Sequence, residues 1–140
     1  MYIILSKTMS KNQKYKQNKQ IILEQNAKEG DADAQCELAK QYFSNAEFDK
    51  AFEWYEKSAI GDNINAQNNL GYMYLNGIGI DKDNTKAFEW YKKSANGGNI
   101  DAQDRLADMY YNGEGTNQDY TKAFEWYTKS ANGGNADAQL

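Results

Sequence analysis

The sequence contains no histidine, no proline and a single cysteine, Cys36. Each absence closes a route. Without imidazole the chain lacks the commonest general acid/base and the commonest neutral metal ligand. A serine or cysteine nucleophile would find no histidine base to activate it. One thiol can build neither an intramolecular disulfide framework nor a multi-cysteine zinc site, so Cys36 reads as a partly buried or groove-facing bystander. Long apolar runs are missing too. Nothing approaches the roughly 18 residues that span a bilayer. Tyr2-Ile3-Ile4-Leu5 falls short of the about 7–15 apolar residues of a signal-peptide core. The expectation is a chain that does not enter membranes and stays cytoplasmic.

What is present is enough for one folded domain. The chain has 140 residues, 40% of them apolar and 14% aromatic, with 11 tyrosines, which argues against disorder. The net charge of −4 is unevenly spread: residues 1–28 carry six lysines against Glu24 and sum to +5, leaving −9 for the remainder. An acidic body repels a phosphate backbone, so nucleic acid is not the expected partner. The lysines of the head read as a solvated helix face.

Internal repetition determines the architecture. Ala-Phe-Glu-Trp-Tyr recurs at Ala51–Tyr55, Ala87–Tyr91 and Ala123–Tyr127, 36 residues apart each time. Ala-Gln recurs at Ala34, Ala66, Ala102 and Ala138, spaced 32, 36 and 36. The four residues missing from the first unit fall between Tyr42 and Ala51, where later units carry Gly77-Ile78-Gly79 and Gly113-Glu114-Gly115. A deletion confined to one place marks a surface loop between two fixed elements. Thr85–Gln103 and Thr121–Gln139 differ at only two of 19 positions, Lys92 against Thr128 and Ile100 against Ala136.

Those elements are helices. Ala87, Trp90, Tyr91, Ser94 and Ala95 form one face of a 3.6-residue period, as do Ala66, Leu70, Met73 and Tyr74. Gly71, with Ala39 and Ala107 in the same slot, leaves room for a close crossing. Asp83 and Asp119 are expected to cap the second helix of their units, and Asp49 that of the shortened one. Asn96-Gly97-Gly98 and Asn132-Gly133-Gly134 are expected to stop it. A single hairpin cannot bury its stripe, so the units must stack.

Ala-x-x-x-Leu-Gly-x-Met-Tyr-x-x-Gly-x-Gly-Ile, then Asp, then Lys-Ala-x-x-Trp-Tyr-x-Lys-Ser-Ala, resembles the Sel-one-like repeat, a relative of the tetratricopeptide repeat. Ala66 through Ala95 match throughout. Ala102 through Ala131 match with Ala107 in the glycine slot, and Ala34 through Ala59 match without the Gly-x-Gly loop. The resemblance implies an all-α fold, an α/α solenoid of two-helix repeats wound as a right-handed superhelix. The expected organisation is a flexible segment 1–12 and one solenoid domain, 13–140. That domain comprises a capping helix 13–29, repeats 32–63, 64–99 and 100–135, and a partial repeat 136–140. Counting back places Ile22 in the slot of Trp54 and Leu23 in that of Tyr55. The last full repeat is expected to show an uncovered apolar edge.

The resemblance also implies a non-catalytic adaptor or scaffold that binds a protein or peptide. A cysteine-rich secreted branch is linked to β-lactam binding, but it closes each repeat with a disulfide that Cys36 alone cannot form. No cofactor or metal is expected. Gly77-Ile78-Gly79 lacks the strand and third glycine of a dinucleotide loop. Asp81-Lys82-Asp83-Asn84 lacks the glycine and bidentate glutamate of a calcium loop. Asp104 and Asp108, one helical turn apart, read as a solvated pair and not as a catalytic one. Trp54, Trp90 and Trp126 with Tyr55, Tyr91 and Tyr127 read as the repeated core.

The binding residues are sought on the first helices, which line the concave face of such solenoids. Outside the buried stripe they present Lys40, with Cys36 and Phe43, then Asn68, Tyr72, Leu75 and Asn76, then Asp104, Asp108, Tyr111 and Asn112, with Asp101 beside them. Tyrosines offer flat contacts, asparagines can bond a peptide backbone in both directions, and the aspartates favour a basic segment on the partner. The alternative function is structural: self-association through the open C-terminal edge.

Overall fold

Capping residues divide the chain into a series of similar helices. The computed structural model describes residues 8–138, with side chains as far as residue 134. The helices are α1 (Lys11–Lys28), α2 (Ala32–Ser44), α3 (Phe48–Ile60), α4 (Ile64–Asn76), α5 (Asn84–Asn96), α6 (Ile100–Asn112) and α7 (Tyr120–Ala138), and no strand occurs among the described residues. Each packs on its neighbours in the chain, most closely within the pairs α2–α3, α4–α5 and α6–α7. The result is an α/α solenoid preceded by one extra helix. Of the expected flexible segment 1–12, residues 1–7 lie outside the described residues. Its last two residues, Lys11 and Asn12, are helical, because Ser10 and Gln13 form a capping box that starts α1 at residue 11.

Asp83 and Asp119 cap their helices, accepting from the backbone N–H of Lys86 and Lys122 at 3.0 Å. The first helices have caps that their repeated apolar stripe did not reveal: Asp31, Asn63 and Asn99 each accept from the backbone N–H three residues on. The expectation for Asp49 is corrected. It sits in the first turn of α3, two residues inside the slot that Asp83 and Asp119 occupy four residues before their Ala-Phe pair; Glu47 holds that slot before Ala51, with no side-chain cap bond. The stop at Asn132-Gly133-Gly134 is corrected as well. After α5 the same residues turn the chain so that α6 packs back, but α7 runs on through both glycines to Ala138. The expected partial repeat 136–140 therefore begins within α7, its last two residues lying outside the described ones. Glycine permits a turn; a helix docking behind it is what makes the turn favourable.

The core is the repeated stripe: Ala66, Leu70 and Met73 of α4 and Ala87 and Tyr91 of α5 are almost completely buried, as are Ala102, Leu106 and Met109 of α6 and Ala51 and Tyr55 of α3. Two devices hold one unit on the next, a glutamine bond and a ring contact, and a serine bond ties the two helices within a unit. Gln35, Gln67 and Gln103 donate Nε2 to the carbonyls of Ala27, Ala59 and Ala95, at 3.0, 3.2 and 3.2 Å. Each thereby adds a second bond to a last-turn carbonyl that already accepts the N–H of Gly30, Asp62 or Gly98. Ser58 and Ser94 donate Oγ to the carbonyls of Ala32 and Ile64 at 2.6 Å. Phe52 and Phe88 each meet a tyrosine of the following unit edge-on, Tyr74 at 5.4 Å and Tyr110 at 5.2 Å between ring centroids.

The tryptophans are less buried than a pure core reading expects. Trp54, Trp90 and Trp126 are half-buried, with the ammonium groups of Lys57, Lys93 and Lys129 at 4.3, 4.6 and 4.4 Å from their ring centroids. Ile22, in the equivalent slot of α1, is exposed. The slot lies on the rim of the helix pair, so its side chain is covered only in part.

The shortened loop leaves a correctable strain. Ala46 sits at φ 60°, and the N–H groups of Ala46 and Glu47 donate to the carbonyls of Phe43 and Tyr42. This Schellman-type helix end prefers glycine at that residue. Ala46→Gly is expected to stabilise the protein by about 1 kcal/mol, the cost of holding an L-residue in the left-handed region. A urea midpoint raised at unchanged slope would show it.

Candidate functional site

Stacking the hairpins places α2, α4 and α6 along one side, and between them opens a cleft of about 850 Å³. Its wall on α4 is Asn68, Asn69 and Tyr72; on α6 it is Asp101, Asp104, Arg105 and Asp108. Phe43 closes the α2 end. The floor comes from the second helices, which send Tyr55, Tyr91 and Tyr127 inward.

Four of the nine residues expected to bind therefore meet in one cleft: Asn68, Tyr72, Asp104 and Asp108. Five do not. Lys40 projects from α2 beside Glu37, 4.0 Å away. Leu75 packs against the core. Asn76 is spent on its own helix, donating Nδ2 to the Tyr72 carbonyl at 2.9 Å. Tyr111 stacks edge-on against Tyr120 at 5.1 Å, at the far end of α6 where Asn112 also lies. Lys40 holds in α2 the repeat slot of Tyr72 and Asp108, whereas Leu75, Asn76, Tyr111 and Asn112 sit in the last turns of α4 and α6, away from the cleft. Cys36 is buried, and burial raises its thiol pKa; it faces no groove.

From the sequence, Tyr55, Tyr91 and Tyr127 read as core residues alone. The repeated Ala-Phe-Glu-Trp-Tyr motif marks them as equivalent, yet it carries no sign that the tyrosine reaches through the layer. Tyr91 lies against the backbone of Gly71, where an added Cβ would stand 2.9 Å from its Cγ. Burial pushes the hydroxyl pKa of Tyr55 and Tyr91 upward, and Arg105 partly offsets the effect at Tyr91. Tyr127 donates its hydroxyl to Asp108 Oδ1. That bond, followed by burial, pushes its pKa up to about 12. The floor is thus a row of neutral phenols at ordinary pH. Above it stand three carboxylates and one guanidinium, Arg105 Nη1 being 3.9 Å from Asp108 Oδ2. Asn68 Oδ1 is buried without a hydrogen-bond partner among the described residues.

No group of three or more His, Cys, Asp or Glu side chains that could hold a metal ion occurs among the described residues. No helix among them is long and apolar enough to cross a membrane.

Comparison with known proteins identifies the Sel1 repeat at residues 32–63, 64–99 and 100–135. A Sel1 repeat protein from Oxalobacter formigenes superposes with a TM-score of 0.77 at 38% identity, covering 86% of this chain and 94% of that one. A protective antigen of uropathogenic Escherichia coli with an SLR fold gives 0.76 at 32% identity, covering 79% of this chain and 24% of its own. Helicobacter pylori cysteine rich protein B gives 0.65 at 25% identity, covering 84% and 94%. Among curated sequences, the ERAD-associated E3 ubiquitin-protein ligase component HRD3 of Candida glabrata is 36% identical over 56 residues, 40% of this chain. This chain spans 7% of the length of HRD3.

Proposed function

Because the chain belongs to the Sel1 repeat family, whose repeats are in general protein–protein interaction modules, we propose that it is a non-catalytic adaptor holding an extended peptide segment in the cleft between α2, α4 and α6. One observation carries this reading: a single cleft in which tyrosine and asparagine side chains meet an excess of carboxylates. Tyr72 and Tyr127 supply flat contacts of low entropic cost, and Asn68 and Asn69 supply amides for the peptide backbone. Asp101, Asp104 and Asp108 favour a lysine or arginine on the bound segment. The stretch of similarity to a ligase component accords with a scaffold in a multiprotein complex.

The test is a set of extended peptides of matched length and varied charge, titrated by fluorescence polarisation. Basic peptides are expected to bind, more weakly at high salt. Asp104→Lys with Tyr72→Ala is expected to weaken them by at least about tenfold, the loss of a central anchor and a charge together. Binding indifferent to peptide charge and to both substitutions would overturn the reading.

A further inference from the structure

The first and last described helices carry matching surfaces, the second of which shares Tyr127, Asp104 and Asp108 with the cleft. At one end, Tyr120, Phe124, Tyr127 and Ala131 stand four, three and four residues apart, so they share one stripe of α7. Phe124 is 72% exposed, whereas Phe52, its equivalent in the first unit, is 8% exposed beneath Tyr74 of the next helix. Tyr127 is 38% exposed against 1% for Tyr91. The stripe is uncharged. Lys122 and Lys129 lie over Tyr110 and Trp126, away from it. Thr128 stands where the preceding unit has Lys92, and its hydroxyl bonds the Phe124 carbonyl. Asp104 and Asp108 flank the stripe on the side where Tyr127 bonds Asp108.

At the other end, α1 packs on α2 through Leu23 and Ala27, and Gln20 exchanges hydrogen bonds with Gln41. Its outer side exposes Tyr15 at 67% and Ile22 at 57%, seven residues apart and hence aligned in a narrow stripe, with Ile21 exposed further round the helix. Lys11, Lys14 and Lys19 border that face, all exposed and without an ion pair among the described residues. One end is therefore apolar with an acidic flank and the other apolar with a basic border.

We propose that this chain associates head to tail with second copies of itself, the outer face of α1 in one copy seating on the open stripe of α7 in the next. The apolar stripes remove each other from water, and the lysines of the first copy meet Asp104 and Asp108 of the second. Because the two surfaces differ, the contact is heterologous and each copy added leaves both kinds of surface free for further copies, until a ring closes if the rotation allows it.

Sedimentation of the full chain over a concentration series tests this. Mass is expected to climb beyond a dimer with concentration and to fall with salt. Ile22→Asp and Phe124→Asp alter opposite ends at exposed positions and are expected to be monomeric alone. Mixed, each supplies the end the other lacks, and a one-to-one heterodimer is expected. Lys11→Glu with Lys14→Glu, which touches no apolar contact, is expected to weaken self-association by at least about tenfold. Any of three results would overturn the proposal: a wild-type chain monomeric throughout, an Ile22→Asp variant that still self-associates through α7 alone, or a mixture that remains monomeric.

Discussion

Gly79→Ala is expected to lower the thermal midpoint by about 10–15 °C, while Gly77→Ala lowers it by only about 3–5 °C. Both glycines have positive φ, 64° at Gly77 and 72° at Gly79, so alanine at either is strained by about 1–2 kcal/mol. Their surroundings differ. A Cβ on Gly77 meets nothing closer than 3.4 Å, at Lys82. On Gly79 it falls 2.5 Å from the Phe48 carbonyl oxygen and 3.2 Å from Met73 Cε. The oxygen is backbone at the start of α3, held by its own helix, and cannot swing aside. Relief requires the α4–α5 loop to lift from the preceding unit, adding roughly 2–3 kcal/mol of overpacking. Stability in a stacked array resides largely in nearest-neighbour interfaces, so this loss is concentrated between the first and second units. Thermal unfolding followed by circular dichroism reads the midpoint. Splitting of one transition into two would locate the loss at that interface.

Tyr91→Ala is expected to cost about 3–5 kcal/mol, the range for truncating a fully buried aromatic side chain. The same change at Tyr127 is expected to cost about 1 kcal/mol, since it removes a half-covered ring and one hydrogen bond. Both residues end the same pentapeptide in units that are nearly identical over 19 positions. Tyr91 is 1% exposed, lying against Gly71 and under the α6 wall, whereas no helix among the described residues lies over Tyr127. Denaturant midpoints of the two variants side by side check the asymmetry. Equal losses would mean that Tyr127 is covered in solution as Tyr91 is, and the head-to-tail contact supplies such a cover. Repeating the pair at low and high protein concentration separates the two sources, because only a cover from a second copy depends on concentration.

The helical repeat was fully legible in the sequence. Three copies of one pattern, a deletion confined to one loop and glycines at fixed offsets leave no other way to bury the stripe. Caps were read where an aspartate stood alone before the second helix, as at Asp83 and Asp119. They were missed at Asn63 and Asn99, where asparagine is common enough in this chain to attract no notice. Asp49 failed because the cap slot four residues before the Ala-Phe pair holds Glu47 in this unit, leaving Asp49 inside the helix. Of the cleft, the α4 and α6 walls were legible at Asn68, Tyr72, Asp104 and Asp108, since they follow from rotating away from the buried stripe. The floor was not: a tyrosine on the core face reads as core, whether or not its hydroxyl reaches the other side of the layer.

By itself, the sequence determined the unit, the number of its copies and the residues that face inward within it, because these depend on spacing along one chain. Only the tertiary structure decided which equivalents are actually covered. Phe124 repeats Phe52, Tyr127 repeats Tyr91, and Gly133-Gly134 repeats Gly97-Gly98, yet in each pair the members differ in exposure or in backbone course. Burial and helix termination belong to the contact with the following helix, and identical residues with different neighbours do not share a free energy.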